Sequence, residues 1–205
     1  MFHVEQNKKR NRKTNHSSTW NNKEQTIKNN TMTLEEIKDS IRSIPDFPQK
    51  GILFRDLTTL FKNAEALREA EERLTKKYEG LGITKVAGIE SRGFIMGAIL
   101  ANRLGAGFVP IRKKGKLPAD TLEESYEKEY GTDTIEVHKD AFSSNDVVLI
   151  HDDLLATGGT MEAAVKLVKQ SGVKKIFVDF LVALDDLNGA DVIDEDVEVS
   201  SLMHY

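Results

Sequence analysis

The sequence predicts an α/β protein with an open, mostly parallel twisted sheet flanked by helices. Short apolar segments rich in β-branched residues alternate with stretches in which apolar residues recur every three to four positions, as in βαβ units. The strand-like segments are mostly apolar throughout, as expected for parallel strands that are covered by helices on both faces. The composition, 39% hydrophobic and 30% charged over 205 residues, provides an ordinary core for one domain with an appendage.

The first 31 residues differ in composition from the rest of the chain. They hold seven Lys or Arg and two acidic residues, a net charge of +5, and since the whole chain carries −4 the remainder carries −9. A segment with so few apolar residues cannot bury a core. We therefore predict a basic, disordered N-terminal extension over 1–32 and one domain over 33–205. Translation starting at Met32, a transit peptide and a weak nucleic-acid arm are the alternatives for the extension.

Two helices and a short extended segment are predicted before the sheet begins. Apolar residues recur near a 3.6-residue period over 34–44, so a helix is expected there, ended by Pro45. Turn residues follow, and 52–56 is predicted to be extended. The second helix starts after Asn63 and ends at Gly80.

The sheet is predicted from six apolar strands and two covering helices. The strands are 86–89, 108–111, 134–138, 147–151, 175–184 and 197–202. The helices are 94–104 and a segment with apolar residues at i, i+3, i+4 and i+7 from Met161. The stretch 112–133 is long and polar, so we expect an excursion from the sheet that returns with the strand at 134.

Composition excludes several classes of function. The longest apolar and glycine run, 93–101, has nine residues, whereas a membrane span needs about 20, so no membrane partner is expected. The absence of cysteine excludes disulfides, a thiol nucleophile and a cysteine zinc site. The five histidines form no i, i+4 pair, which disfavours a histidine metal site. The acidic net charge disfavours a nucleic-acid partner.

The common nucleotide-binding motifs are also missing. Gly115-Lys116 is followed by Leu117 instead of Ser or Thr, and 105–107 lacks the third glycine of the dinucleotide motif. The sequence therefore indicates neither a kinase P-loop nor an NAD-binding fold.

The strongest local signal lies where the strand 147–151 ends. Asp152 and Asp153 follow the strand directly, and the Thr-Gly-Gly-Thr turn at 157–160 opens a helix. Two glycines and a helix N-terminus direct backbone N–H groups and partial positive charge toward one point, which forms an anion cradle. Carboxylates suit sugar hydroxyls or a developing cation. At the carboxyl end of a parallel sheet, this combination indicates a phosphorylated sugar as ligand.

The segment 152–160 resembles the phosphoribosyl-pyrophosphate (PRPP) motif of type I phosphoribosyltransferases, in the form found in adenine phosphoribosyltransferases. Further segments resemble that family in the same order: 44–48, 51–56, 88–94, 111–118 and 125–131. The resemblance spans the chain from about Thr33 onward. It implies the type I phosphoribosyltransferase fold, with a mobile loop over the active site. The implied activity is purine salvage, in which the 5-phosphoribosyl group of PRPP moves to N9 of adenine, giving AMP and pyrophosphate.

The resemblance also implies roles for individual residues. The loop that binds the 5′-phosphate comprises Ala156, Thr157, Gly158, Gly159 and Thr160. The pyrophosphate is bound by Ser91, Arg92, Arg112, Lys113 and Lys116, with a cis peptide expected between Glu90 and Ser91. Adenine is contacted by Leu53, Phe54, Arg55 and Leu154, with Phe54 and Leu154 on its two faces. The catalytic residues are Glu129, as acid or base near adenine N7, and Asp152 and Asp153 on the ribose hydroxyls.

A cofactor, an assembly and a location follow from the same resemblance. Mg²⁺ is expected, held mainly by PRPP and water, so no residue is assigned as a direct metal ligand. A homodimer is expected, in which some cations at the pyrophosphate come from the neighbouring subunit, and the location is expected to be cytoplasmic. Closure of 112–131 over PRPP would exclude water from the reaction.

Two other functions stay open at this point. One is a hypoxanthine/guanine or orotate transferase, which the 154–160 segment and Phe54-Arg55-Asp56 disfavour. The other is a PRPP- or nucleotide-sensing regulator that keeps the fold and has lost catalysis. Such regulators usually carry a DNA- or RNA-binding element, and the basic extension is the one candidate for it in this sequence.

Single residues have alternative interpretations as well. The cations at 112–116 are equally typical of a solvated surface, and Phe54 of a core aromatic. Arg55 has Asp56 or Glu90 as an alternative partner. His151 departs from the family pattern, and we expect a neutral, packed histidine there, with tuning of the acidity of Asp152 as the alternative.

Overall fold

The computed structural model describes residues 31–128 and 131–205. The compact unit runs from Met32 to Tyr205. The predicted extension lies almost wholly outside the described residues, so the division into an extension and a domain stays a prediction. None of the described helices is both long and apolar enough to cross a membrane.

The domain alternates strands and helices along most of its length. In chain order the elements are α1 (Leu34–Asp39), β1 (Arg42–Pro45), β2 (Leu53–Asp56), α2 (Thr58–Phe61), α3 (Ala64–Tyr78), β3 (Lys85–Ile89), α4 (Gly93–Arg103), β4 (Gly107–Lys113), β5 (Thr121–Lys128), β6 (Gly131–His138), β7 (Val147–Leu155), α5 (Gly159–Lys169), β8 (Lys175–Ala183) and β9 (Glu198–His204). A short 3₁₀ turn at Asp185–Leu187 joins the last two strands.

The central sheet has seven strands in the order β5-β6-β4-β3-β7-β8-β9. The five strands from β4 to β9 in that order run parallel to their neighbours, whereas β5 and β6 pair antiparallel at one edge. The predicted α/β class and mostly parallel sheet are confirmed. A separate two-stranded antiparallel sheet joins β1 and β2.

The order of the strands creates a crevice at one end of the sheet. The chain passes from β3 to β4 on one side and later returns to β7 on the other side of β3. As a result the domain has two hydrophobic cores: α4 packs with α3 in one, and α5 packs in the other. Ligands of such sheets bind where the strand order reverses, beyond the carboxyl ends of the strands. In this protein that point lies between β3 and β7.

The predicted helix over 34–44 is wrong in its second half. The helix ends at Asp39, and Arg42–Pro45 is strand β1, paired antiparallel with β2 so that Ile44 faces Phe54. An ion pair between Arg42 and Asp56 joins the first residue of β1 to the last of β2. Pairing with a segment ten residues later therefore overrode the helical period, which a local pattern does not report.

The excursion expected over 112–133 contains a strand that the sequence analysis missed. Strand β5 carries mostly polar residues and pairs along its whole length with β6. It lies at the edge of the sheet, where polar side chains face solvent and no apolar pattern is required. The hairpin also begins the returning strand earlier than predicted, at Gly131.

Strand β7 continues four residues beyond its predicted end. The pairing with β8 goes on through Asp152, opposite Phe180, to Leu155, opposite Ala183. The acid pair is therefore part of a strand, with its backbone fixed by the sheet. The other predicted strands and helices are found within a few residues of their expected ends.

Candidate functional site

Three loops meet at the carboxyl ends of the neighbouring strands β4, β3 and β7. The loop after β3 holds Ser91 and Arg92, the end of β4 holds Arg112 and Lys113, and the end of β7 runs into 156–160. The parallel sheet thus brings together residues that are up to about 70 positions apart in the chain. This edge is the candidate site.

The turn before α5 has the geometry of an anion cradle. Gly158 is the N-cap of α5 and adopts a left-handed conformation with φ of 83°. It carries no side chain to cap the helix, and the first amides of α5 find no backbone acceptor in the described part of the chain. These N–H groups therefore remain for a ligand. A cavity of about 90 Å³ lies against the whole 156–160 turn.

Gly189 supports the cradle from a distant loop, and the sequence analysis missed it. A Cβ on Gly158 would overlap the carbonyl oxygen of Gly189, and a Cβ on Gly189 would overlap the carbonyl oxygen of Ala156. The two loops are packed backbone against backbone, which requires glycine at both positions. No local motif surrounds Gly189, so only the fold reveals this role.

The acid pair sits at the boundary between the cradle and the loop after β3. Asp153 is buried and forms an ion pair with Arg92, and its amide donates to Asp152 Oδ1 at 2.9 Å. Burial, followed by the neighbouring charge of Asp153, raises the pKa of Asp152 well above its usual range. The neutral form of Asp152 is therefore favoured, and acids perturbed in this way are enriched at functional sites.

The loop after β3 packs directly on the acid pair. The expected cis peptide between Glu90 and Ser91 is confirmed. A Cβ on Gly93 would lie 2.8 Å from the carbonyl oxygen of His151 and 3.0 Å from Asp152 Oδ1. Only glycine allows this close approach of the loop to β7.

Arg112, a cation of the predicted pyrophosphate site, is held by Glu90. Arg112 contacts both carboxylate oxygens of Glu90, through Nε at 3.1 Å and Nη2 at 3.3 Å, and the amide of Lys113 donates to the same group. The guanidinium of Arg112 lowers the pKa of Glu90. Glu90 therefore orients Arg112 at the site, a role that the sequence analysis did not assign.

Lys113 and Lys116, the two lysines of the predicted pyrophosphate site, differ in the contacts of their side chains. Lys113 Nζ lies 3.6 Å from Asp133 on β6. Lys116 donates its backbone amide to Glu136 at 2.8 Å, and its side chain is exposed. Lys114, which had no assigned role, pairs with Glu123 at 2.7 Å.

The predicted adenine-contacting residues lie on β2 and β7. The ring of Phe54 is in edge contact with Phe47, and the guanidinium of Arg92 lies 5.8 Å from its centroid. Leu53 is 48% exposed. Leu154 packs partly into the core of α3 and α4. Arg92 thus links Phe54 to the acid pair, while the sandwich of Phe54 and Leu154 around a base stays a prediction.

Arg55 uses neither of its alternative partners. Asp56 pairs with Arg42, and Glu90 pairs with Arg112. The guanidinium of Arg55 instead donates to Ser43 Oγ at 2.5 Å and lies on the ring of Tyr205.

Glu129, the predicted acid or base, lies outside the described residues. The residues on either side of the hairpin turn are described, and Lys128 pairs with Gly131. The hairpin approaches the cradle, since the carbonyl oxygen of Glu127 lies 3.7 Å from the position of a Cβ on Gly159. The role of Glu129 stays a prediction.

His151 lies in a buried polar cluster behind the acid pair. Its Nδ1 is 3.0 Å from Asp179 Oδ2, and Asp179 Oδ1 accepts hydrogen bonds from Tyr78 and Ser200 at 3.0 and 3.1 Å. Burial and the charge of Asp179 raise the pKa of Tyr78. The expected packing of His151 is confirmed, whereas an effect on Asp152 stays a prediction.

Comparison with known proteins agrees with this geometry. The model of the phosphoribosyl transferase domain family matches residues 56–202. The adenine phosphoribosyltransferase of Bacteroides thetaiotaomicron is 62% identical over 172 residues, 84% of this chain and 98% of the relative. That of Bacteroides fragilis is 60% identical over 174 residues, with the same shares covered.

Solved structures are similar as well. The adenine phosphoribosyltransferase of Rhodothermus marinus superposes with a TM-score of 0.80 at 51% identity, over 84% of this chain and 98% of that one. The Giardia lamblia enzyme, solved in complex with 9-deazaadenine, gives a TM-score of 0.79 at 43% identity, over 85% of this chain and 99% of that one. The Saccharomyces cerevisiae enzyme, solved with an imino-altritol bisphosphate and adenine, gives a TM-score of 0.78 at 38% identity. The match covers 82% of this chain and 97% of that one.

Proposed function

The chain belongs to the adenine phosphoribosyltransferase family, and from this premise we propose how its residues carry out the reaction. The protein transfers the 5-phosphoribosyl group of PRPP to N9 of adenine, giving AMP and pyrophosphate, a step of purine salvage. The observation that carries the mechanism is the junction of the cradle, the acid pair and the loop of Arg92 at one end of β3 and β7.

The 5′-phosphate of PRPP binds in the turn formed by residues 156–160. The amides at the start of α5 donate to its oxygens, and the hydroxyls of Thr157 and Thr160 add donors. Because the backbone of the turn is locked by Gly158 against Gly189, the cradle needs little rearrangement to receive the phosphate.

The pyrophosphate of PRPP binds between the loop of Ser91 and Arg92 and the cations of β4. Glu90 already holds Arg112 in place there. The pyrophosphate competes with Asp153 for Arg92, since a guanidinium binds phosphate oxygens as readily as a carboxylate. Release of Arg92 leaves Asp153 to accept a hydrogen bond from a ribose hydroxyl and uncovers the face of Phe54 for a base.

Adenine binds between Phe54 and Leu154, with the edge of the base against β2. Strand β2 pairs only with β1 in the described part of the protein, so the backbone groups on its other edge remain for the base. Leu53 and Arg55 contact the base through these backbone groups, because the side chain of Arg55 is engaged elsewhere.

The reaction is a substitution at C1 of the ribose. The bond from C1 to the pyrophosphate oxygen breaks with its electron pair leaving on the pyrophosphate, while the N9 lone pair of adenine forms the new bond with inversion. Glu129 takes up the proton that adenine gives up at N7. The carboxylate of Asp153 stabilises the positive charge that develops on the sugar. Because a positive charge favours ionisation of a neighbouring acid, Asp152 joins it as that charge develops.

Mg²⁺ fits this site as a partner of the substrate. The ion prefers one or two carboxylates together with phosphate oxygens and water. Asp152 lines the cradle and Asp153 is its neighbour, so an ion held mainly by PRPP and water would lie beside the acid pair with no direct protein ligand assigned. The described residues hold no group of three or more His, Cys, Asp or Glu that could hold a metal by itself. When bound, the ion neutralises part of the pyrophosphate charge, which favours its departure.

The assembly and location are proposed from the family alone. We infer a homodimer, in which cations of a neighbouring subunit join the pyrophosphate site, and a cytoplasmic enzyme with a basic extension at 1–32. Size-exclusion chromatography with light scattering measures the first of these directly.

The reaction is tested by measuring AMP formation from PRPP and Mg²⁺ with adenine, beside hypoxanthine, guanine and orotate. We expect product with adenine alone. Glu129→Gln and Asp153→Asn are expected to lower kcat by about 100-fold or more, as loss of an acid–base or electrostatic group does. Product with another base would overturn the adenine site. PRPP binding without product from any base would identify a PRPP sensor.

A further inference from the structure

Tyr205 is fixed to the central sheet and to the first helix. Its amide donates to the carbonyl oxygen of Ala183 at 3.0 Å, and its own carbonyl oxygen accepts from the amide of Asp185 at 2.9 Å. Its hydroxyl donates to the carbonyl oxygen of Lys38 on α1 at 3.1 Å. The ring is half-buried, and burial raises the pKa of its hydroxyl. Tyr205 is therefore a rigid point on the body of the domain.

The ring of Tyr205 holds the side chain of Arg55 from strand β2. The guanidinium carbon of Arg55 lies 3.9 Å from the ring centroid, within the range of a cation–π contact. The Nζ of Lys38 lies 4.4 Å from the same ring.

Arg55 has few other anchors. Its Nη1 donates to Ser43 on the paired strand β1, which moves together with β2. Its Nε is buried and has no hydrogen-bond partner among the described residues. The nearby carboxylate of Asp56 is taken by Arg42 and Thr58. Stacking on Tyr205 is thus the described contact that ties the Arg55 guanidinium to the body of the domain.

We propose that Tyr205 is a positioning residue for the base site: by holding the side chain of Arg55, it fixes the backbone of β2 against the edge of adenine. This inference rests on the proposed function, in which Leu53 and Arg55 contact the base through their backbone. No backbone ladder joins the small β1–β2 sheet to the central sheet, so side-chain contacts such as this one contribute to its position.

The chemistry of the bases makes this position a determinant of specificity. Adenine has an amino donor at C6 and an acceptor at N1, whereas hypoxanthine has an acceptor at C6 and a donor at N1. If the backbone of β2 is held in one position, its N–H and C=O groups pair with the donor and acceptor of adenine. The same groups stay unpaired against hypoxanthine. Looser positioning of β2 weakens adenine binding and reduces the discrimination against hypoxanthine, while the cradle for PRPP, on the other strands, is unaffected.

The test compares Tyr205→Leu with Tyr205→Phe and with Lys38→Met in steady-state kinetics. Tyr205→Leu removes the aromatic face, and loss of a cation–π contact predicts a KM for adenine raised by about tenfold. The KM for PRPP and kcat stay within about twofold, and the ratio of kcat/KM for adenine over hypoxanthine falls. Tyr205→Phe keeps the ring and restores wild-type values within about threefold. Lys38→Met removes the second cation without touching β2 and leaves adenine KM unchanged.

Each other outcome counts against the inference. If Tyr205→Leu lowers kcat and raises the KM of both substrates equally, or if Tyr205→Phe behaves like Tyr205→Leu, the residue acts only in folding. An unchanged adenine KM in Tyr205→Leu also overturns the positioning role. A wild-type protein that forms no AMP would instead overturn the proposed function itself, and this inference with it.

Discussion

Among single residues, Asp179 shows most clearly how a buried charge is accommodated. It lies opposite His151 on β7 and opposite Ser200 on β9, and the side chain of Tyr78 reaches it from α3. Its carboxylate oxygens receive the hydroxyl donors on one side and His151 Nδ1 on the other. A buried carboxylate needs such donors, because desolvation without them costs several kcal/mol. A carboxylate beside Nδ1 of His151 favours the tautomer in which Nδ1 is the donor.

The His151–Asp179 pair gives a prediction about stability. His151→Leu removes one donor and leaves a buried, less compensated carboxylate, so the free energy of unfolding should fall by about 3 kcal/mol. Urea denaturation of the full chain measures this loss. Asp179→Asn is the matched variant, since an amide of the same shape carries no charge. The double variant is expected to lose clearly less than the sum of the two single losses, and an additive result would show that the two groups are not coupled.

At the scale of elements, the turn before α5 depends on the loop of Gly189. Residues on two separate loops share one backbone contact there, so the shape of the proposed phosphate cradle is set by both. In the β1–β2 sheet, Asp56 is held by Arg42 on the paired strand and by Thr58 just beyond β2. Thr58 and Arg42 hold the pKa of Asp56 at about 2, which keeps this carboxylate ionised at the base of the small sheet.

The cradle gives a prediction with a matched control at another glycine. Gly158→Ala places a Cβ against the carbonyl oxygen of Gly189 in a left-handed conformation, whereas Gly172→Ala has a similar φ of +64° and open space around it. Both variants should lose about 1 kcal/mol for the backbone conformation. Gly158→Ala alone should also raise the KM for PRPP, by about tenfold or more, because the turn must move. Equal kinetics in both variants would show that the contact with Gly189 is unimportant.

Elements were predictable from the sequence where burial dictates their pattern. Strands β3, β7 and β8 lie inside the sheet under helices, so their residues are apolar and were recognised. Strand β5 is an edge strand and β1 belongs to a small separate sheet, so neither has an apolar pattern of its own. These two were missed because pairing with the next strand along the chain, and not an apolar pattern of their own, determines them.

At the scale of the whole molecule, the site residues that the structure describes all lie in the compact unit from Met32 to Tyr205. The described site residues from Leu53 to Thr160 belong to it, and so do their supports from Lys38 to Tyr205. The family match also falls within it, at 56–202. The first 31 residues, which carry a net charge of +5, precede both this unit and the family match along the chain.

This separation predicts that deletion of residues 1–31 leaves catalysis intact. The kcat/KM values for adenine and PRPP should stay within about twofold of those of the full chain. A twofold change corresponds to less than about 0.5 kcal/mol of activation free energy. The same AMP assay measures them, with the full chain as control. A loss of tenfold or more would show that the extension contributes to the site.

The sequence by itself determined the fold class, the cradle and the acid pair. Each is encoded in adjacent residues, because a buried parallel strand must be apolar and a tight anion-binding turn must contain glycine. The family motifs then assigned roles that no local pattern indicates, as for Arg92 and Arg112.

Only the tertiary structure decided which distant groups support the site. Glu90 orients Arg112, Gly189 locks the cradle, Asp179 holds His151, and Tyr205 holds Arg55. Each of these contacts joins segments between 20 and 150 residues apart. Their residue types are ordinary in sequence, and they acquire their roles from the sheet that places them side by side.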